Sequence, residues 1–187
     1  LASQSQSALS MGLPLMATAE AEVRSALERD VMELFDQFHE RLAGYILSFG
    51  LAKHDAEDIV QETFFALFCH LQMERSRENL RGWIFRVAHN LALKRRTSNR
   101  RYESEADYVI EPLDPRPSAE DQVLFSQRRS RLLAVVDALP EQDQRCLYLR
   151  AEGLKYREIA QVLGISLGSV AQSLARSVGR LTRSEAR

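Results

Sequence analysis

Between Glu103 and Ser118 the chain loses every sign of helical rhythm. Glu103, Glu105, Asp107, Glu111 and Asp114 alternate with Pro112, Pro115 and Pro117, and prolines among like charges keep a segment extended rather than packed. On both sides apolar residues recur every three or four positions, so the chain divides into two helical units that must each find a core. Its 187 residues suffice for two small ones. No strand alternation and no internal repeat of roughly 20 to 50 residues interrupts this pattern. The expected fold is all-α: two small helical bundles, 23–102 and 119–187, joined by an acidic Pro-containing linker at 103–118. Residues 1–22, rich in Ser, Gln and Ala, read as a mobile tail.

In the first unit Val31, Leu34, Phe35, Phe38, Leu42, Ile46 and Phe49 mark one long amphipathic helix that Gly50 ends. The segment HDAEDIVQETFFALFCHL follows. At 100° per residue Ile59, Val60, Thr63, Phe64, Leu67 and Leu71 share its buried face, with Asp55, Asp58 and Glu62 directed away from it. Asp55 is placed to cap this helix. Phe65 also points away, and an aromatic set among carboxylates buries nothing in its own domain, so it is a candidate anchor for a partner. A third helix buries Leu80, Trp83, Ile84, Val87, Ala88 and Leu91. Its other face displays Arg86, His89, Asn90, Leu93, Arg96 and Arg100, flanked by Lys94 and Arg95, with no acidic residue from Arg81 to Arg101 to neutralise it. A formal charge of −1 therefore conceals an acidic helix followed by a basic one, a division that suits two macromolecular partners.

In the second unit Tyr156-Arg157-Glu158-Ile159-Ala160 leads through Val162, Leu163, Gly164, Ile165 and Ser166 into Val170, Leu174, Val178 and Leu181. This is the pattern of a helix-turn-helix: Ala160 is small where helices approach, Gly164 suits a positive φ, and Ser166 caps the second helix. That helix would enter the major groove of DNA by its N-terminal residues Ser169, Ala171, Gln172 and Ser173. Gln172 suits adenine, and Arg176 suits guanine or a phosphate. Arg180, Lys155 and Arg157 add a salt-dependent grip on the backbone.

The order and spacing of D-A-E-D-I-V-Q-E-T-F, R-G-W-I-F-R-V-A-H-N and L-P-E-Q-D-Q-R-C-L-Y-L-R-A-E-G-L-K-Y-R-E-I-A resemble the bacterial extracytoplasmic-function (ECF) sigma factors, from about Leu27 to Thr182. The resemblance implies a minimal two-domain sigma factor whose partners are core RNA polymerase and promoter DNA; members of that family are controlled by an anti-sigma factor clamping both domains or by transcription, phosphorylation or fused domains. It places Asp58, Gln61, Glu62 and Phe65 on the polymerase-binding face. It gives Asn90, with the loop from Gln72 to Asn79, the capture of an extruded promoter base, and Arg86, Lys94, Arg95 and Arg96 the single-strand phosphates. The second unit would read the upstream promoter element. Lys155 stands where many members carry a Ser or Thr cap, and Ala171 where a polar or basic reader is frequent.

The competing reading is an autonomous helix-turn-helix regulator that does not bind core polymerase; it leaves the acidic face and Phe65 without a role and lacks a dimerisation element. An enzyme is not expected, because Asp55, Glu57 and Asp58 lie on one helix and do not converge on a pocket. Cys69 and Cys146 read as small buried hydrophobes, and no Cys or His spacing suggests a metal. No cofactor, small-molecule substrate or membrane insertion is implied. The N-terminal segment lacks a basic n-region, which places the expected site of action in the cytoplasm.

Overall fold

The computed structural model describes residues 12–103 and 132–185, which are helix and turn with no strand among them. The expected linker, 103–118, falls outside these residues except for its first position. In the first unit α1 runs Gly12–Leu47, α2 Lys53–Gln72 and α3 Leu80–Glu103. In the second, a helical stretch at 132–137 precedes α4 at Glu141–Ala151, α5 at Tyr156–Leu163 and α6 at Leu167–Glu185. Helix α1 begins earlier than its apolar rhythm, so residues 12–22 are also helical.

The apolar stripes meet as their spacing requires. Phe38, Leu42, Tyr45 and Ile46 of α1 pack with Ile59, Phe64 and Leu67 of α2 and with Ile84, Phe85 and Ala88 of α3. Leu149, Leu154, Ile159, Val162, Val170 and Leu174 fill the second unit. The two sets form one continuous buried cluster. Tyr148 of α4 joins them, its ring centroid 5.4 Å from that of Tyr45.

Helix ends show how the backbone donors are satisfied. Asn79 Oδ1 accepts the Gly82 N–H at 3.2 Å and so caps α3. Ser166 Oγ accepts the Ser169 N–H at 3.0 Å at the start of α6, as its position predicts. Between α5 and α6, Gly164 adopts φ 65°, which closes the turn without a Cβ penalty. A lysine ammonium cannot accept a hydrogen bond, so Lys155 is no substitute for Ser or Thr; instead the Glu158 carboxylate accepts the Lys155 N–H at 2.6 Å, half of a capping box.

Asp55 departs from expectation. The N-cap of α2 is Ala52, without a side-chain cap, and Asp55 is 4% exposed rather than turned to solvent. Its carboxylate accepts from Arg95 and, at 2.9 Å, from Asn99, so it ties α2 to the C-terminal half of α3. A charge at that depth needs such partners.

Candidate functional site

Three surfaces carry the polar chemistry. On α2, Asp58, Gln61, Glu62 and Phe65 occupy positions i, i+3, i+4 and i+7 and are all exposed. Phe65 is 69% exposed while Phe64 beside it is buried. The stripe is therefore an acidic ridge with one aromatic knob, held by a helix whose opposite side is locked into the core. Asp58 Oδ2 lies 3.8 Å from Arg95 Nη1, so the ridge borders the basic helix.

On α3, Arg86, Asn90 and Lys94 are exposed. Local neutralisation, which the sequence does not suggest, comes from outside the helix: Arg95 is held by Asp55, and Arg96 donates to both carboxylate oxygens of Glu141 on α4, at 3.0 and 2.6 Å. The Arg96 hydrogen bond holds the Glu141 carboxyl below its ordinary range, with Arg145 and Arg100 adding to the effect. His89, expected on the displayed face, is buried; its Nδ1 shares a 2.8 Å hydrogen bond with Tyr45 Oη. Burial, aided by the positive charge of Arg145, lowers the imidazole pKa to about 4. Trp83 is half-buried, with its ring centroid 4.7 Å from that of His70.

A cavity of about 250 Å³ lies beside Trp83, lined by Ser76, Asn79 and Arg86 of the first unit and by Glu158 and Gln161 of α5. Part of the loop Gln72–Asn79 thus forms a pocket wall. Asn90 stands one turn beyond Arg86, exposed and outside the lining.

On the helix-turn-helix, Lys155, Arg157, Gln172, Arg176 and Arg180 reach solvent, and Ser169 is half-buried. Ser173, expected at the surface, is buried, and its Oγ accepts from Gln142 at 3.1 Å and Arg176 at 3.2 Å. The Arg176 guanidinium also donates to both oxygens of buried Asp143, at 3.0 and 2.8 Å. That hydrogen bonding holds the Asp143 carboxyl below its usual range despite burial. Arg180 Nη1 reaches the Ala138 carbonyl at 3.5 Å.

Sequence reasoning missed Asp143 and Glu141. Asp143 carries its own signal, since it falls three residues before Cys146 and six before Leu149, on the buried stripe of α4. A carboxylate there requires a partner. Glu141 carries no such signal, because its partner belongs to the other unit. Cys146 is buried and Cys69 half-buried. Among the described residues no group of three or more His, Cys, Asp or Glu could hold a metal, and no helix is long and apolar enough to cross a membrane.

Comparison with known proteins places these surfaces in a family. Residues 34–102 match sigma-70 region 2 and residues 129–181 match sigma-70 region 4. The chain is 35% identical over 152 residues to the ECF RNA polymerase sigma factor SigE of Mycolicibacterium smegmatis, a match covering 77% of this chain and 57% of that longer protein. It is 30% identical over 153 residues to the ECF RNA polymerase sigma factor RpoE of Cereibacter sphaeroides, covering 80% of this chain and 82% of the relative. In fold it is similar to the sigma factor RpoE of Bartonella quintana, solved in complex with the anti-sigma factor NepR, with a TM-score of 0.62, 20% identity, and coverage of 83% and 96% of the two chains. With both regions present in order, and a relative at this identity matched over most of its length, the chain belongs to the ECF family of RNA polymerase sigma factors.

Proposed function

We propose that this protein binds core RNA polymerase, directs it to specific promoters and helps open them. The observation that carries the reading is the α2 ridge, where Phe65 stands 69% exposed among Asp58, Gln61 and Glu62 while the apolar face of the same helix is buried. An aromatic anchor ringed by polar groups is the composition of a protein-binding hot spot. The residues 23–102 serve as the polymerase-binding domain, 103–118 as the linker and 119–187 as the domain for the upstream promoter element.

On α3 the exposed Arg86, Asn90 and Lys94, with Arg95 and Arg96, form the single-strand face. An extruded base costs a few kcal/mol of stacking, offset by pocket contacts and by phosphate pairing. The Trp83 cavity, walled by Ser76 and Asn79, lies beside this face. On the helix-turn-helix, Gln172 and Ser169 approach base edges while Lys155, Arg157 and Arg180 hold phosphates. Arg176 meets DNA with its plane fixed by Asp143, and Ser173 acts from beneath it. Work of this kind belongs in the cytoplasm, where an anti-sigma protein of the kind found with the Bartonella factor would bind both units.

The test is retention of core polymerase by the immobilised chain. Asp58→Arg combined with Glu62→Arg abolishes retention while the helical circular dichroism persists; undiminished retention would overturn the assignment.

A further inference from the structure

Asp143 and Arg176 decide which side chains of α6 are left to read DNA. A guanidinium has five N–H donors on three nitrogens. On Arg176, Nε donates to Asp143 Oδ2 at 3.0 Å, and Nη2 donates to Asp143 Oδ1 at 2.8 Å and to Ser173 Oγ at 3.2 Å. Only Nη1 has no partner among the described residues. A bidentate grip on guanine O6 and N7 needs two nitrogens along one edge of the fork, and both such edges include Nη2. Releasing them is unfavourable: the Asp143 side chain is 1% exposed, and a carboxylate at that depth deprived of its cation costs more than a base contact returns. The neighbouring positions narrow the choice further. Ser173 is buried, Ser169 is half-buried with its Oγ 2.8 Å from that of Ser166, and the exposed Ala171 and Ala175 offer neither donor nor acceptor on their side chains. Gln172 is exposed, and its amide has no hydrogen-bond partner among the described residues.

We propose that Asp143 makes Arg176 a phosphate clamp rather than a guanine reader, and that Gln172 carries base recognition by holding one adenine through its N6 and N7. This rests on the reading of α6 as the helix that enters the upstream promoter element. With both edges of its fork filled, Arg176 keeps its charge and one nitrogen, enough for a single phosphate oxygen, a contact that carries no sequence information. A glutamine amide accepts from adenine N6 and donates to N7. Ala171 and Ala175 flank Gln172, and a methyl side chain suits contact with a thymine methyl. The element that fits this helix therefore contains one essential A·T pair and no guanine required by Arg176.

Duplexes selected from a random pool by the full chain assembled with core polymerase define its upstream element, and 7-deazapurines then remove N7 from one base at a time. One adenine position should lose about tenfold in affinity on substitution by 7-deazaadenine, and no guanine of the element should respond to 7-deazaguanine. In Gln172→Ala that adenine response and the preference for A·T there should vanish. Arg176→Ala is combined with Asp143→Asn so that no buried carboxylate is stranded. The pair should weaken all duplexes by one common factor, make log affinity about one unit less steep against log salt, and leave every base preference unchanged. Asp143→Ala, which frees the fork, should bring out a preference for guanine where the wild-type chain is indifferent. A guanine of the element whose 7-deaza analogue weakens wild-type binding overturns the proposal, as does an adenine response that survives Gln172→Ala or an Asp143→Ala chain with no new preference. If the Asp143 variants lose their helical signal, the 7-deazapurine series on wild type and Gln172→Ala carries the test. A pool without any enriched upstream sequence sinks the reading of α6 along with this proposal, whereas an enriched element read through guanine sinks this proposal alone.

Discussion

Tyr45 and His89 share a single buried 2.8 Å hydrogen bond between α1 and α3, with the Tyr148 ring of α4 5.4 Å from that of Tyr45. Burial raises the tyrosine pKa and lowers that of the histidine to about 4, so both groups are neutral in the folded chain near pH 7.

The sign of the resulting pH dependence follows from the histidine. Its folded pKa lies below the unfolded value near 6.5, so the unfolded chain takes up a proton first as pH falls. Stability is full above pH 6.5 and declines toward pH 4. Between pH 6.5 and 5 the loss should be roughly 1.5 kcal/mol. Urea unfolding at the two pH values measures it, and His89→Phe should flatten most of the slope. An equal slope in the variant assigns the effect to other groups.

Asp143→Asn weakens the paired hydrogen bonds to Arg176 on α6. A cost of about 1.5 to 3 kcal/mol is expected at neutral pH, because hydrogen bonds to charged partners exceed neutral ones. Thermal unfolding of the full chain checks this. The variant should also bind upstream-element duplex more weakly, since the Arg176 plane is no longer fixed. A wild-type melting temperature would show that water replaces the pair at no cost.

Phe65→Ala should leave stability within about 0.5 kcal/mol of wild type, as for exposed positions generally. Retention of core polymerase should fall at least tenfold. The two measurements must diverge, because a core residue would lose stability and binding together.

Gly164→Ala places a Cβ at φ 65° in the turn between α5 and α6. The expected penalty is roughly 1 kcal/mol or more, read as a lowered urea midpoint at unchanged slope. Duplex binding should survive at saturating protein, because the residue itself need not touch DNA.

Aliphatic stripes are the legible part of such a chain. Ile59, Phe64 and Leu67, or Ile159 and Val162, can face only one way once a core forms, and Phe65 is recognised because it breaks that rule. Polar residues at the margin of a stripe are not so constrained. A helical wheel sends Asp55, His89 and Ser173 to solvent, whereas Arg95, Tyr45 and Gln142 satisfy them inside. Pairing across distant elements decides such cases, and periodicity holds no record of it. The packing between the units is illegible for the same reason: no local rhythm connects Gly44 with Tyr148, or Arg96 with Glu141.

Glu141 directly follows Pro140 as the first residue of α4. Its carboxylate therefore sits at the positive end of the helix dipole, Arg145 one turn later holds it at 3.0 Å, and it remains 60% exposed to water. When Arg96 withdraws, Glu141 keeps all three sources of stabilisation, and Arg96 gains either water or phosphate. Neither ion is stranded, so parting the units avoids the penalty of breaking a deeply buried pair. The contact is a latch at the rim of the shared core rather than a member of it, able to open and re-form without leaving a charge uncompensated.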